Sequence, residues 1–357
     1  MERTLFCLET LKTLLRKNGM NFYLIGMDHR TASSELRDKA FKNRYRLELF
    51  CKDFLLGQAG VLFTCNRIEL YGVCRDQSES IEILNKSKDA FPEIFENVYL
   101  KKDTYETLLH VLRLACGLES QIPFESQIVE QLRSWIKRST IPEVLKIKLS
   151  FVLDLAEDIR STYGIDGLKK DIVDFALENI QQRIGSLNGK RLLVIGTGKV
   201  AELISRKDLK NTHLIFVARK RNARALNLSR KAKGELLSFD DIPKMFNEVD
   251  AVVSATSSPH YIIKIGMLFN LKRNRNMPLY IYDLAAPKDV HPEVFKLNNV
   301  RVYDVAEMSL SIDNYRQEMS CTIKKVNSLI ESGAWLNAGE GDVSKDQSRI
   351  KAELVSV

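Results

Sequence analysis

Two short stretches carry residue types that could do covalent and redox chemistry. In the first, VLFTCNRIELYG, Cys65 interrupts an apolar strand and is followed by Asn66 and Arg67. The thiolate is the nucleophilic form of cysteine, and a nearby guanidinium is expected to favour it. A thiolate can attack an acyl carbon, and the resulting thioester accepts hydride readily. By residue type alone, a cysteine in a strand reads as a buried structural residue. The polar run of Thr64, Asn66 and Arg67 argues for function, because a fully buried strand rarely carries all three.

The second stretch, RLLVIGTGKVAEL, reads as strand, glycine turn and helix. Gly196, Gly198 and Ala201 give G-x-G-x-x-A. The first glycine permits the tight turn, and the second lets a pyrophosphate approach the backbone. The small third residue lets the helix pack on the strand. The helix N-terminus then offers free N–H groups to phosphate. After the next strand an NAD enzyme would carry an acid for the ribose hydroxyl. This chain has Ala218-Arg219-Lys220-Arg221 instead, which suits a 2′-phosphate and predicts NADPH. Ser254 and Thr256, in SATSSP, close a later strand and are expected near the nicotinamide side of the cofactor.

Bulk properties set the frame. The chain has 357 residues, 45% hydrophobic and 28% charged, the balance of a globular protein with about two domains. A net charge of +8 favours a polyanionic partner, although a solvated basic surface also explains it. The six cysteines form no C-x-x-C pair, so no metal site is expected, and a reducing, cytoplasmic setting fits best. No apolar run approaches the roughly 18 residues of a membrane span. His110 sits among Leu109, Val111 and Leu114 in TLLHVLRLACGLES, where a lone histidine is more often core than catalyst.

Periodicity places these residues on elements. Residues 1–19 read as an extension with a short helix over 2–18, broken at Asn18-Gly19, and the folded chain is expected to begin near Met20. An α/β catalytic domain is expected over 20–160. FYLIGM is a strand, SSELRDKAF and NRYRLELFCKDFLL are helices, and further helices cover about 104–118, 126–138 and 142–162. Residues 161–305 read as a Rossmann-type nucleotide-binding domain with a parallel sheet. A long C-terminal helix is expected over 306–335, and a polar, disordered tail over 336–357.

In order along the chain, these motifs resemble the glutamyl-tRNA reductase family. GMDHRTA, TCNRIELY, GLES…ESQI, VIGTGKVAEL, SATSSP and YDLAAPKDVHPEV match from about Asn21 to Met308. The resemblance implies NADPH-dependent reduction of the glutamyl ester of glutamyl-tRNA to glutamate-1-semialdehyde, the first step of C5 tetrapyrrole synthesis. Cys65 matches the family's nucleophile and His110 a histidine thought to assist it. Thr64, Arg67, Ser120, Glu125 and Gln127 match the glutamate pocket, with Arg67 expected to pair the substrate carboxylate. Arg219 matches an arginine placed for the 2′-phosphate. Implied partners are the charged tRNA and glutamate-1-semialdehyde aminomutase, and a homodimer through the C-terminal helix.

The chain departs from the pattern at Ser33, at Gly167–Ala176, and at Phe124, which replaces a glycine and is expected to send its loop along another path. Beyond the C-terminal helix, little remains of the family's dimerisation region. Two other functions fit parts of the sequence: a non-catalytic tRNA- or partner-binding descendant, and a quinate- or shikimate-type reductase. The latter gives TCNRIELY no role.

Overall fold

The computed structural model describes residues 20–332 apart from 126, 169, 221 and 272–276. The expected helix over 2–18, the polar tail and Arg221 lie outside the described residues.

The N-terminal sheet has four strands: β1 (Asn21–Asp28), β2 (Ala59–Phe63), β3 (Arg67–Cys74) and β4 (Tyr99–Lys101), in the order β2-β3-β1-β4. All its pairings are antiparallel. Residues of β1 and β3 are buried almost without interruption, because helices cover both faces. On one face lie α1 (Ser34–Lys42), α2 (Arg44–Leu49) with the π-helical turn that continues it, and α3 (Gln77–Ala90). On the other lie α4 (Thr104–Ala115), α5 (Gln127–Arg138) and α6 (Glu143–Thr162). Side chains start these helices: Ser33 accepts from the Leu36 N–H, Asp76 from Glu79 and Asp103 from Glu106.

α7 (Ile172–Ile184) leads into the second sheet behind a capping box of Asp171 and Asp174. That sheet holds β5 (Arg191–Ile195), β6 (His213–Ala218), β7 (Glu235–Ser238), β8 (Ala251–Ser254), β9 (Leu279–Asp283) and β10 (Val300–Tyr303). Its order is β10-β9-β8-β5-β6-β7 and every pairing is parallel. The order reverses between β5 and β8, and the crevice at their carboxyl ends is where such sheets bind ligands. α8 (Lys199–Arg206) follows β5, and α9 (Ala223–Lys231) follows β6.

The C-terminal region differs from expectation. A break at Met319 divides it into α10 (Ser309–Glu318) and α11 (Ser320–Glu331). Ile312 and Tyr315 pack into the core of the parallel sheet, and Val326 and Ile330 into that of the first. Each fully buried aliphatic side chain there contributes about 1.5–3 kcal/mol. Arg316 donates to the Gln121 carbonyl at 2.7 Å. The expected single helix is thus a two-part strap whose buried apolar side chains face its own chain.

Candidate active site

The interruption between β2 and β3 is a hairpin turn. The Thr64 N–H donates to the Arg67 carbonyl at 2.9 Å, and the Thr64 hydroxyl accepts from the Asn66 and Arg67 N–H groups at 3.3 and 3.1 Å. Thr64 and Arg67 are buried, and Cys65 stands exposed at the tip. Thr64, expected in a substrate pocket, has its hydroxyl oxygen engaged in building the turn that presents the thiol.

The protein around the tip overrides the expected effect of the nearby guanidinium. The protein packed around the exposed tip raises the thiol pKa above its ordinary value, and the Glu125 carboxylate adds to this. Arg37 and Arg67 pull the other way and are outweighed. Glu125 is itself displaced: burial and the charge of Asp171 raise its carboxyl to about 7.

Arg67, expected to pair the substrate carboxylate, is 1% exposed and already pairs with Glu69. Its guanidinium donates to Glu69 at 2.8 Å and to the Glu119 carbonyl at 2.6 Å. Glu69, fully buried, also accepts from the hydroxyls of Tyr71 (2.6 Å) and Tyr99 (2.5 Å), and contacts His110 Nε2 at 2.8 Å. Glu119 carries the network to the surface through Arg113 (2.7 Å) and Arg30 (2.6 Å), and Arg30 returns to Asp28. His110 is therefore buried as a core histidine would be, but with a specific carboxylate partner. No hydrogen bond joins it to Cys65 among the described residues.

Four polar atoms are buried without a partner among the described residues: Asn327 Oδ1 on α11, and Arg37 Nε, His29 Nδ1 and Gln127 Nε2. Buried donors left unmet are costly, and a ligand that meets them recovers that cost. Arg37 acts electrostatically on Cys65, and His29 feels both members of the Arg30–Asp28 pair. Burial lowers the His29 pKa to about 4, so its imidazole is neutral at pH 7.

The loop carrying Ser120 and Glu125 keeps a tight path despite its bulky residue. Phe124 adopts φ +64°, a conformation that favours glycine, and its ring is fully buried in the first core. A Cβ at Gly117, φ +79°, would meet the Phe124 Cα at 2.5 Å. Phe124 thus takes a glycine-type backbone conformation. Ser120 is buried, with its carbonyl facing Arg316.

On the parallel sheet, Gly196 has φ +109°, and a Cβ there would meet the Ala255 carbonyl at 2.6 Å. Ala201 is buried under the turn, and Arg219 and Lys220 are exposed at the end of β6. The cradle and the cations fit a dinucleotide carrying a 2′-phosphate. Ser254 departs from expectation: it is fully buried, and its hydroxyl donates to Asp289 at 2.7 Å. The Thr256 N–H and hydroxyl donate to the same carboxylate at 2.9 and 2.5 Å. Ser254 therefore anchors the loop rather than facing a cofactor.

Comparison with known proteins places this pairing of a cysteine hairpin and a dinucleotide turn. A model of the glutamyl-tRNAGlu reductase N-terminal domain matches residues 25–161, and one of shikimate/quinate 5-dehydrogenase matches 178–310. A glutamyl-tRNA reductase of Maridesulfovibrio salexigens is 28% identical over 334 residues, 89% of this chain and 76% of the relative. That of Methanococcoides burtonii is 30% identical, covering 78% of this chain and 66% of the relative. The chain belongs to the glutamyl-tRNA reductase family. The solved glutamyl-tRNA reductase of Methanopyrus kandleri is 26% identical, with a TM-score of 0.45, covering 92% of this chain and 82% of that one.

Within this family frame, sequence reasoning missed Glu69, Arg37, His29 and Asp289. Glu69 and His29 lie inside quoted motifs, two residues after Arg67 and three after Gly26. An acid alternating with Arg in a strand was the available signal for a buried pair. Asp289 also lies inside a quoted motif, YDLAAPKDVHPEV, but its role, like that of Arg37 on α1, shows only in the tertiary structure. No helix among the described residues is long and apolar enough to cross a membrane.

Proposed function

We propose that this chain reduces the glutamyl ester of glutamyl-tRNA to glutamate-1-semialdehyde through a thioester on Cys65, with NADPH as reductant. The exposed thiol at the tip of a hairpin, within electrostatic reach of Glu125, whose carboxyl burial raises to about 7, carries the reading. A group with that pKa can take a proton and return it at neutral pH. Glu125 accepts the thiol proton, and the thiolate sulfur bonds to the ester carbonyl carbon. The carbon–oxygen bond to the ribose then breaks, and the departing oxygen takes a proton to free the tRNA. Gly196–Ala201 and Arg219–Lys220 would hold NADPH, which would supply the hydride that reduces the thioester carbon. The carbon–sulfur bond breaks, releasing the aldehyde and restoring the thiolate.

Arg37, with its unmet Nε, and Gln127 are the donors we assign to the glutamyl group. Arg67 and His110 are positioning residues that act through Glu69. Asp289 positions the loop of Thr256 beside the cofactor cradle. A downstream aminomutase that takes the reactive aldehyde fits the same assignment.

NADPH oxidation followed at 340 nm with charged glutamyl-tRNA tests the proposal. Consumption by the wild type and none by Cys65→Ser is expected. Tight tRNA binding without consumption in either would favour the non-catalytic descendant.

A further inference from the structure

A cavity of about 1030 Å³ runs along the outer edge of β2. One wall is α2 with its π-helical turn, carrying Tyr45 and Lys52, and the other is α5, carrying Trp135 and Arg138. Its acids are engaged: Glu130 pairs with Lys199 at 2.8 Å, and Glu48 faces Arg44 at 3.9 Å. Lys52 and Arg138 are exposed and have no carboxylate partner among the described residues. The groove therefore presents unspent cations and neutralised anions, the electrostatics of a polyanion site. Tyr45 is 70% exposed, and the Trp135 indole is held by its N–H on the Val61 carbonyl at 2.9 Å. Cations interleaved with aromatic rings suit single-stranded nucleic acid, whose phosphates meet charge while its bases stack.

The inner end of the groove points to the chemistry. It is lined by Phe63 and by Gln127, whose Nε2 lacks a partner. From Phe63 the chain runs two residues to Cys65, about 7 Å of extended backbone. Cys65 does not line the groove, but the strand that floors it leads within two residues to the hairpin that carries the thiol.

Granting the reduction of glutamyl-tRNA proposed above, we propose that this groove is the track for the single-stranded 3′ end of the tRNA. Lys52 and Arg138 hold its phosphates, and Tyr45 and Trp135 stack its bases, so that the esterified terminal ribose reaches Cys65.

The test uses the full chain and two uncharged transcripts of tRNAGlu, one intact and one lacking its last three nucleotides. The double variant Lys52→Ala/Arg138→Ala is expected to bind the intact transcript about tenfold more weakly, with a slope of log K against log salt shallower by about 1.4. Its affinity for the shortened transcript should equal that of the wild type. Lys137→Ala, an exposed α5 residue outside the groove, serves as the control and should bind as the wild type does. Equal loss for both transcripts, or no loss for either, overturns the groove assignment. A parallel measurement on the wild type, NADPH oxidation with a small glutamyl thioester, checks the parent reading without RNA. Turnover there with an unaffected double variant leaves the reductase standing and the groove refuted. A wild type that neither turns over nor binds RNA overturns both.

Discussion

The Glu69 carboxylate meets the His110 imidazole at 2.8 Å, on a side chain that also accepts from Arg67, Tyr71 and Tyr99. Burial opposes the charge on Glu69, but Arg67, then His110 and the hydrogen bonds, hold its carboxyl well below the ordinary range. Glu69 thereby fixes the rear of the hairpin and the orientation of His110 from one point.

Replacing Glu69 by Ala strands the buried Arg67 charge. A loss of about 3–5 kcal/mol is expected, read from urea midpoints at pH 7. The sign with pH follows from the depressed pKa. The contribution of Glu69 is complete above the unfolded carboxyl value of about 4.3 and is lost as pH falls below it. The difference between wild type and Glu69→Ala should therefore shrink on acidification below about pH 4. A difference that stays constant there would mean the charge does not matter.

Cys65 and Glu125 set the pH dependence of the first chemical step. With the thiol raised above its ordinary value, little of it is ionised at pH 7 without help. A carboxyl at about 7 supplies a proton acceptor there. The pH profile of kcat/KM should rise through an inflection near 7, and Glu125→Gln should lose that inflection while still binding tRNA. An unchanged profile in the variant would assign the proton to another group.

Arg37 and Arg67 separate function from structure. Arg67 is locked into Glu69 and Glu119, whereas Arg37 spends one hydrogen bond on the Ala32 carbonyl at 2.6 Å and keeps its Nε unmet. Arg37→Ala should lower kcat/KM roughly 10- to 100-fold, the worth of one charge-assisted hydrogen bond, with little change in melting temperature. Arg67→Ala should instead unfold more easily. Equal activity of Arg37→Ala and wild type would return the substrate carboxylate to Arg67.

The parallel sheet is legible in the sequence because its strands are continuous apolar runs bounded by helices, and the glycine turn sits where steric demand at Gly196 requires it. The N-terminal sheet is half legible. β1 and the cysteine hairpin stand out, but three-residue β4 and the polar helix α3 carry little periodic signal. The site divides in the same way. Cys65 shows itself through its polar neighbours, whereas the direction of its pKa depends on how much protein surrounds the sulfur. The local partner of Arg67, Glu69, is legible two residues on, whereas its second partner, the Glu119 carbonyl, and the Asp289 partner of Ser254 come from far off in the chain.

Phe124 tests how the site loop bears its strain. A non-glycine residue in the left-handed region costs about 1–2 kcal/mol. The fully buried ring repays this, since removing a buried phenylalanine side chain costs about 3–5 kcal/mol. Phe124→Gly should therefore be destabilised by about 1–4 kcal/mol. The backbone should hold its course, because the Phe124 carbonyl accepts from buried Arg160 at 2.9 Å and its N–H donates to the Gly117 carbonyl at 3.0 Å. Denaturant midpoints measure the loss, and the near-7 inflection of kcat/KM reports whether Glu125 stays in place. A stabilised Phe124→Gly protein would show that backbone strain, not core packing, dominates at this position.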